Sequence, residues 1–399
     1  HSLRLLSAYY ASATLDALRH TPDGTEGADA LAGGASSLAE SERSRSDLQG
    51  LLQEVEEMTL PSSGGAPPTG PTGRGRRFEA VKVLVATHAA LTRRLDTLVQ
   101  CFARPLVDIA EGHGAKIDDS PAGVEGTTTQ LAAATARLKR SFSPDQVALL
   151  QKPDVLVFLQ ALIDLSFENG LLLRALHECM GRPERSGDPD SVAVGTIASP
   201  LPERSFEALA WSHGAAAKVL FGAKSPAAFK ELKTACDRQL EAIGPLADRV
   251  AALLPEQVSS DATALDPSAM WCSTEGVVAM LLHANLAMYA AAMESLVQRT
   301  TVDYADRSGC DRLLEDFRSV KAKVVATLDD RQNYDKLVQI KASIIGNDVF
   351  GKYKHLDTLI DRDRHFVKEG TLHKLCKWGK VKPFHFWLLS DLLIYATPL

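Results

Sequence analysis

The stretch FVKEGTLHKLCKWGKVKPFHFWLLSDLLIYAT, Phe366–Thr397, decides the fold, because here the chain changes period. Glu369–Cys376, Phe384–Ser390 and Leu392–Thr397 are short runs rich in aromatic and β-branched residues. Trp378–Pro383 carries turn-forming residues, and Ser390-Asp391 makes a second corner. Such a pattern predicts three short antiparallel strands, with side chains suited to a pleated, half-buried surface. Six of the 24 aromatic residues of the chain (Phe366, Trp378, Phe384, Phe386, Trp387 and Tyr395) lie in its last 35 residues. The local charge changes as well. Between Asp363 and Phe386 stand Arg364, Lys368, Lys374, Lys377, Lys380 and Lys382 against Asp363 and Glu369, a net +4 that leaves −10 of the overall −6 on the remainder.

Upstream the period is helical. Val81, Leu84, His88, Leu91, Leu95, Leu98 and Phe102 recur at steps of three and four, one stripe of a continuous helix. Ser143-Pro144 is a helix start, with a capping hydroxyl followed by proline in the first turn. Pro153 interrupts that block, and Asp154–Met180 then runs to Gly181 with Val155, Leu159, Leu162, Leu172 and Leu176 on its apolar side. A polar loop at Arg182–Asp190 precedes helical stretches at Ser205–Leu220 and Pro226–Leu240. After a loop at Glu256–Ala269, further helices are expected at Thr274–Thr300 and Asp311–Ile345, the last with Leu313, Phe317, Val320, Val324 and Leu328 as its stripe. No repeat of fixed period is present, which argues against a solenoid.

Residues 1–77 have the composition of a tether. A short helix around Leu3–Leu18 gives way to Gly/Ala/Ser-rich sequence, and a second candidate helix covers Ser46–Met58. PSSGGAPPTGPTGRGRR, Pro61–Arg77, is a Pro/Gly/Ser/Thr linker whose Arg74, Arg76 and Arg77 form a charge cluster. The expected layout is therefore a flexible tether at 1–77, a helical domain at 78–362 and the beginning of a β domain at 363–399. A chain of 399 residues is long enough for two or three such units, and from its start at His1 a processed or excised piece is expected.

Composition removes other options. A net charge of −6 gives no global basic field for nucleic acid. Cys101, Cys179, Cys236, Cys272, Cys310 and Cys376 form no CxxC pair, so neither a zinc cluster nor a redox motif is visible, and the eleven histidines show no metal-ligand spacing. No Walker loop, HExxH, GxSxG or dinucleotide fingerprint occurs, so nothing calls for a cofactor. No apolar run of the ~20 residues of a membrane span and no secretory signal is evident, and an intracellular, soluble chain is expected. A curved helical dimer that shapes membranes would also pair long helices with a basic β unit. The −10 on the helical remainder argues against it.

A long helical domain followed at once by a small basic β unit resembles the Dbl-homology/pleckstrin-homology (DH-PH) exchange factors for Rho GTPases. LVATHAALTRRLDTLVQCFARPL (Leu84–Leu106) resembles the first conserved DH helix without a gap. SPDQVALLQKPDVLVFLQALIDLSFENGLLLRALHE (Ser143–Glu178) resembles the second conserved region. VGTIASPL followed by ALAWSHGAAAKVLFGAKSPAAFKELKTACDRQ is similar to the segment after it. Met280–Gly346 resembles the third region and the last long helix, and Phe366–Thr397 the first PH strands. The resemblance implies a mainly α fold: an elongated DH-type helical bundle followed by the first strands of a truncated PH-type β domain. Such a domain needs about seven strands and a capping helix, and three strands with one apolar face uncovered are marginal alone.

The implied function is exchange of guanine nucleotide on a Rho-family small GTPase, without covalent chemistry. The helical surface must bind the empty GTPase better than the loaded one. By family position the GTPase-facing residues are His88, Thr92, Asn285, Met288, Val325 and Asp329. The family places a Glu, a basic residue and an Asn where this chain has His88, Met288 and Val325, and its Pro-Val-Gln-Arg stretch is replaced by His283-Ala284-Asn285. These departures keep a second reading open, a degenerate DH-PH scaffold that binds a partner without exchange. On residue chemistry alone, His88 on an apolar stripe fits a satisfied core histidine, and Met288 beside Tyr289 fits packing. Lys374, Lys377, Lys380, Lys382 and His385 are the candidate phosphoinositide or membrane contacts. Phe384 stands where the family carries an Arg, so the expected interaction is weak attraction to anionic lipid, at ~1 kcal/mol per basic residue. The expected placement is cytoplasmic and peripheral to a membrane.

Overall fold

Along the helices the apolar side chains outnumber what one stripe can carry, and the computed structural model shows where they go. It describes residues 48–55, 73–112, 142–186, 193–197, 201–253, 272–302, 304–344, 359–361, 363–376 and 381–397. The described residues divide into two compact units, one within 48–325 and the other within 326–397.

In the first unit, α1 (Gly73–Leu98) continues through a π-helical turn at Val99–Ala103 into α2 (Arg104–Ala110). Then come α3 (Pro144–Leu150), α4 (Pro153–Ser186), α5 (Glu203–Leu220), α6 (Ala227–Leu253), α7 (Thr274–His283) and α8 (Asn285–Gln298). α9 (Arg307–Ser343) begins in this unit and ends in the other. α1 is the central helix. The predicted stripe from Val81 to Phe102 is buried, but so are Val85, Thr87, Ala90, Thr92 and Arg94 around its circumference. α4, α6, α7 and α8 all pack against it.

Local chemistry sets the helix starts. Ser143 caps α3 in a reciprocal capping box with Gln146, and Pro144 fills the first turn, as the sequence predicts. Asp237 on α6 accepts from both the backbone N–H and the hydroxyl of Thr274, and Ser273 caps Gly276, so the α7 start is held twice. α4 runs to Ser186, past the end expected at Gly181. Its Pro153–Met180 stretch is long and apolar enough by length and composition to cross a membrane, contrary to expectation from the sequence, and more than half of it is buried within the fold. The helix expected at Thr274–Thr300 is two, α7 and α8, bent by 51° at Ala284.

The tether boundary also moves. α1 begins at Gly73 rather than Phe78, and residues 48–55 form a helix inside the expected Ser46–Met58 span. Arg77, expected in a linker charge cluster, is 3% exposed. Its guanidinium pairs with Asp306 at 2.6 Å, donates to Thr300 Oγ1 at 3.2 Å and lies 4.4 Å from the Tyr304 ring centroid. Close by, the 3₁₀ turn Val194–Thr196 meets the start of α9 through two glycines. A Cβ on Gly195 would sit 2.6 Å from the Cys310 backbone nitrogen, and one on Gly309 would meet the Gly195 backbone. Only hydrogen fits at either position. The expected helix at Leu3–Leu18 and the loop at Glu256–Ala269 lie outside the described residues.

In the second unit, β1 (Phe366–Leu375), β2 (Val381–Leu389) and β3 (Leu393–Ala396) form an antiparallel sheet in the order β1-β2-β3. This is the predicted meander. Trp387 and Leu389 bury against Leu337 and Ile340 of α9 and against Leu359. Asn333 of α9 clamps the start of β1, donating to the Arg364 carbonyl and accepting from the Phe366 N–H, both at 2.8 Å. Arg364 holds Asp391 at the second corner with two bonds of 2.7 Å. That pair holds the Asp391 carboxyl below the usual range and raises the guanidinium. The other sheet face carries Leu372, Leu388, Leu393 and Tyr395, all exposed.

Candidate functional site

His88 sits where α1, α4 and α8 meet. It is fully buried, and its Nε2 donates to the carbonyl of Asn169 at 2.8 Å. A carbonyl can only accept, so the proton is on Nε2 and the unprotonated Nδ1 accepts from the hydroxyl of Tyr289. Burial lowers the His88 pKa to about 4, and it raises that of Tyr289 well above the phenol range. The Tyr289 ring packs onward, tilted, against Phe317 of α9, centroids 5.1 Å apart. His88 is therefore a neutral tie between three helices.

The other family positions divide sharply. Thr92 is buried and spends its hydroxyl on the His88 carbonyl. Met288 is 5% exposed and packs in the same core. Asn285, at the bend between α7 and α8, is 1% exposed, and neither its amide nitrogen nor its amide oxygen has a hydrogen-bonding partner among the described residues. Val325, 46% exposed, and Asp329 lie on the surface of α9. Of the six residues expected to face a GTPase, the structure thus places four in the core and two in solvent. The cause is the position of α1. The partly open side of α1 carries Lys82, Arg93 and Thr97, and residues 88 and 92 face the packed helices instead.

In the first unit, Glu203 and Glu207 stand beside Lys323 of α9. Glu203 pairs with Lys323 at 2.6 Å. On α4, Asp164 and Glu168 stand one turn apart, and burial raises both carboxyls, helped at Glu168 by the neighbouring Asp164 charge. Phe167, between them in sequence, is 65% exposed, the most open aromatic of this unit among the described residues. Sequence reasoning missed this α4 ridge. Its one signal is a Phe at a position where the helical pattern calls for a polar residue.

The candidate membrane set also divides. Lys374 and Lys382 are register partners in β1 and β2 and share the face that carries Phe384 and Tyr395. Lys374 Nζ bonds the Tyr395 hydroxyl at 2.6 Å and lies 3.8 Å from its ring centroid. His385, three residues from Lys382, points to the opposite face, where it approaches Glu369 and packs edge-on against Trp387. The alternation of strand side chains makes that separation unavoidable. Lys377 and Lys380 lie outside the described residues.

No protein-family profile matches the chain. It is 32% identical over 95 residues to the FERM, ARHGEF and pleckstrin domain-containing protein 2 of mouse, a match spanning 24% of this chain and 8% of the mouse protein; the human protein of the same description matches equally. Among solved structures, the DH/PH domains of p115-RhoGEF align over 82% of this chain and 78% of that one, at 16% identity and a TM-score of 0.46. A complex of the PDZ-RhoGEF DH/PH domains with GTP-gamma-S activated RhoA aligns over 83% of this chain and 76% of that one, at 14% identity and a TM-score of 0.46. The similarity to the mouse and human proteins thus spans about a quarter of this chain and a small part of those proteins, in a chain with a mainly helical fold and a small C-terminal sheet.

Proposed function

We propose that the helical unit is a guanine nucleotide exchange surface for a Rho-family small GTPase, and that the sheet unit adds weak contact with an anionic membrane. The observation that carries this reading is the 95-residue similarity to a protein described by an exchange-factor and a pleckstrin domain, in a chain that keeps the helical-then-β order. Exchange needs no nucleophile or metal. It needs a surface that binds the nucleotide-free GTPase more tightly than the loaded one, by about 1.4 kcal/mol for each factor of ten in the shift.

The test is release of labelled nucleotide from a panel of purified Rho-type GTPases. Acceleration with one or more members is the expected result, and none with any member would sink the reading. Sedimentation with phosphatidylserine vesicles tests the membrane part. Binding that weakens with salt and falls on Lys382→Glu is expected.

A second reading, a scaffold without exchange, draws on one specific observation. His88, Thr92, Asn285 and Met288 are core residues, so four of the six family-position contacts have no free surface in this arrangement. A scaffold would bind loaded and empty GTPases alike. Pull-downs with both forms separate the two readings.

A further inference from the structure

The six cysteines, none of which forms a disulfide, are scattered along the sequence, yet the fold brings two of them together. Cys101 lies in the π-helical turn Val99–Ala103 and Cys236 on α6, and the turn packs against that helix. The two thiols are hydrogen-bonded to each other, and the Thr274 hydroxyl lies against the Cys236 sulfur. Both cysteines are buried, at 4% and 0% exposure. Phe102, next to Cys101, stacks on Phe221 with centroids 5.5 Å apart, so the surroundings are apolar. The Cys101 contact, and then burial, hold the Cys236 thiol well above its usual range. Cys236 is therefore the donor of the pair, and the Cys101 sulfur is the acceptor. Other thiols of the chain meet oxygen instead: Cys179 the Ala193 carbonyl, Cys310 the Asp306 carboxylate and Cys376 the Lys374 carbonyl.

We propose that Cys101 and Cys236 are a reversible oxidation site, which takes hydrogen peroxide and yields a disulfide between the central helix and α6. A peroxide is small and uncharged, which suits a site whose burial shuts out larger, charged disulfides. In the first step the Cys101 thiol gives up its proton and its sulfur attacks one peroxide oxygen. The O–O bond breaks, and the departing hydroxide takes up the proton as water. Cys101 is now a sulfenic acid. The Cys236 sulfur, already directed at Cys101, then attacks that sulfur and loses its own proton. The S–O bond breaks, and a second water leaves. Two thiols and one peroxide thus become one disulfide and two waters, the thiols being oxidised and the peroxide reduced. The sulfurs must close to about 2 Å. The π-helical turn is where that movement is easiest, because it already departs from the regular helical ladder. Once formed, the bond ties the end of α1 to α6 and closes a long loop, which restricts the unfolded chain.

The test treats the folded whole chain with hydrogen peroxide and maps its cysteine peptides by mass spectrometry without reduction. A cross-linked pair of peptides carrying Cys101 and Cys236, separated again by dithiothreitol, is the expected result. Both thiols still reduced after Cys272, the half-exposed cysteine, has been oxidised would overturn the proposal. So would a different pairing, or a cross-link that forms only in urea, since the site would then not be built by the fold. Cys236→Ala removes the second sulfur, so the sulfenic acid at Cys101 should persist and be trapped by dimedone. No adduct at Cys101 in that variant, with one at Cys236 in Cys101→Ala, would reverse the order of attack and overturn the mechanism. Should either variant fail to fold, the map of the wild-type chain decides alone. Hydrogen exchange reads the lock itself. The slowest amides of α1 and α6 should exchange at least about thirtyfold more slowly in the cross-linked chain, the lower end of what one disulfide contributes. Equal exchange before and after oxidation would refute a lock.

Discussion

At the scale of single residues, His88 shows how one position can carry opposite meanings. By family position it replaces an acidic partner of the GTPase, whereas by its neighbours on the apolar stripe it is a core residue. The structure supplies the second, with Nε2 on the Asn169 carbonyl and Nδ1 facing the Tyr289 hydroxyl. A carboxylate there would confront a carbonyl oxygen with no water to solvate it. His88→Glu is therefore expected to cost about 2–4 kcal/mol of stability in urea unfolding rather than to restore exchange. The same burial has a pH signature. The folded pKa, about 4, lies below the ordinary 6.5, so between these values the unfolded chain binds more protons than the folded one. This contribution is fully present above pH 6.5 and is lost as pH falls toward 4, by about 3 kcal/mol over the window. His88→Gln removes the titrating group. Its stability profile from pH 4 to 6.5 should be flatter than that of the wild type, and an equal slope in both would disprove the assignment.

At the scale of elements, most of the fold was legible from period alone. The three strands, the Ser143 cap and the stripe of α1 all follow from local patterns that tertiary packing reinforces. What was not legible is packing on the other sides of a helix. Thr92 and Arg94 read as surface residues by type, yet both are buried, Arg94 by folding its guanidinium back onto the Ala90 carbonyl. Arg77 is the clearest case. Its neighbours in sequence are glycines and arginines typical of a linker, and its partners Thr300 and Asp306 lie more than 220 positions away. No local signal could pair them. The pair fastens the start of α1 to the approach of α9, and Cys310 donates its thiol to the same Asp306 carboxylate, its pKa pushed up to about 12 by burial. Removing only the cation leaves a buried carboxylate, so Arg77→Ala should cost about 3–5 kcal/mol. Replacing both partners, Arg77→Met with Asp306→Leu, should recover most of that loss. Chemical denaturation of the three variants closes the cycle, and a double variant as unstable as Arg77→Ala would refute the account.

At the scale of the whole molecule, α9 belongs to two cores. Leu313, Phe317, Val320 and Val324 bury in the helical unit, and Leu337 and Ile340 bury with Leu359, Trp387 and Leu389 in the sheet unit. The two cores differ greatly in size. The helical unit encloses most of a central helix, whereas among the described residues the sheet unit has one small cluster and an apolar face with Leu372, Leu388 and Leu393 in solvent. Burial scales the hydrophobic stabilisation at about 25 cal/mol per Å², so the sheet unit has far less to set against its ordering entropy. Local stability should follow that difference rather than the continuity of the helix. In hydrogen exchange, amides near Val320 and Val324 should open only with the helical unit, and those near Leu337 and Ile340 should open earlier, together with β1 and β2. The change is expected close to Ala326, within a single unbroken helix. Uniform protection along α9 would mean that helix propagation, and not core size, sets its stability.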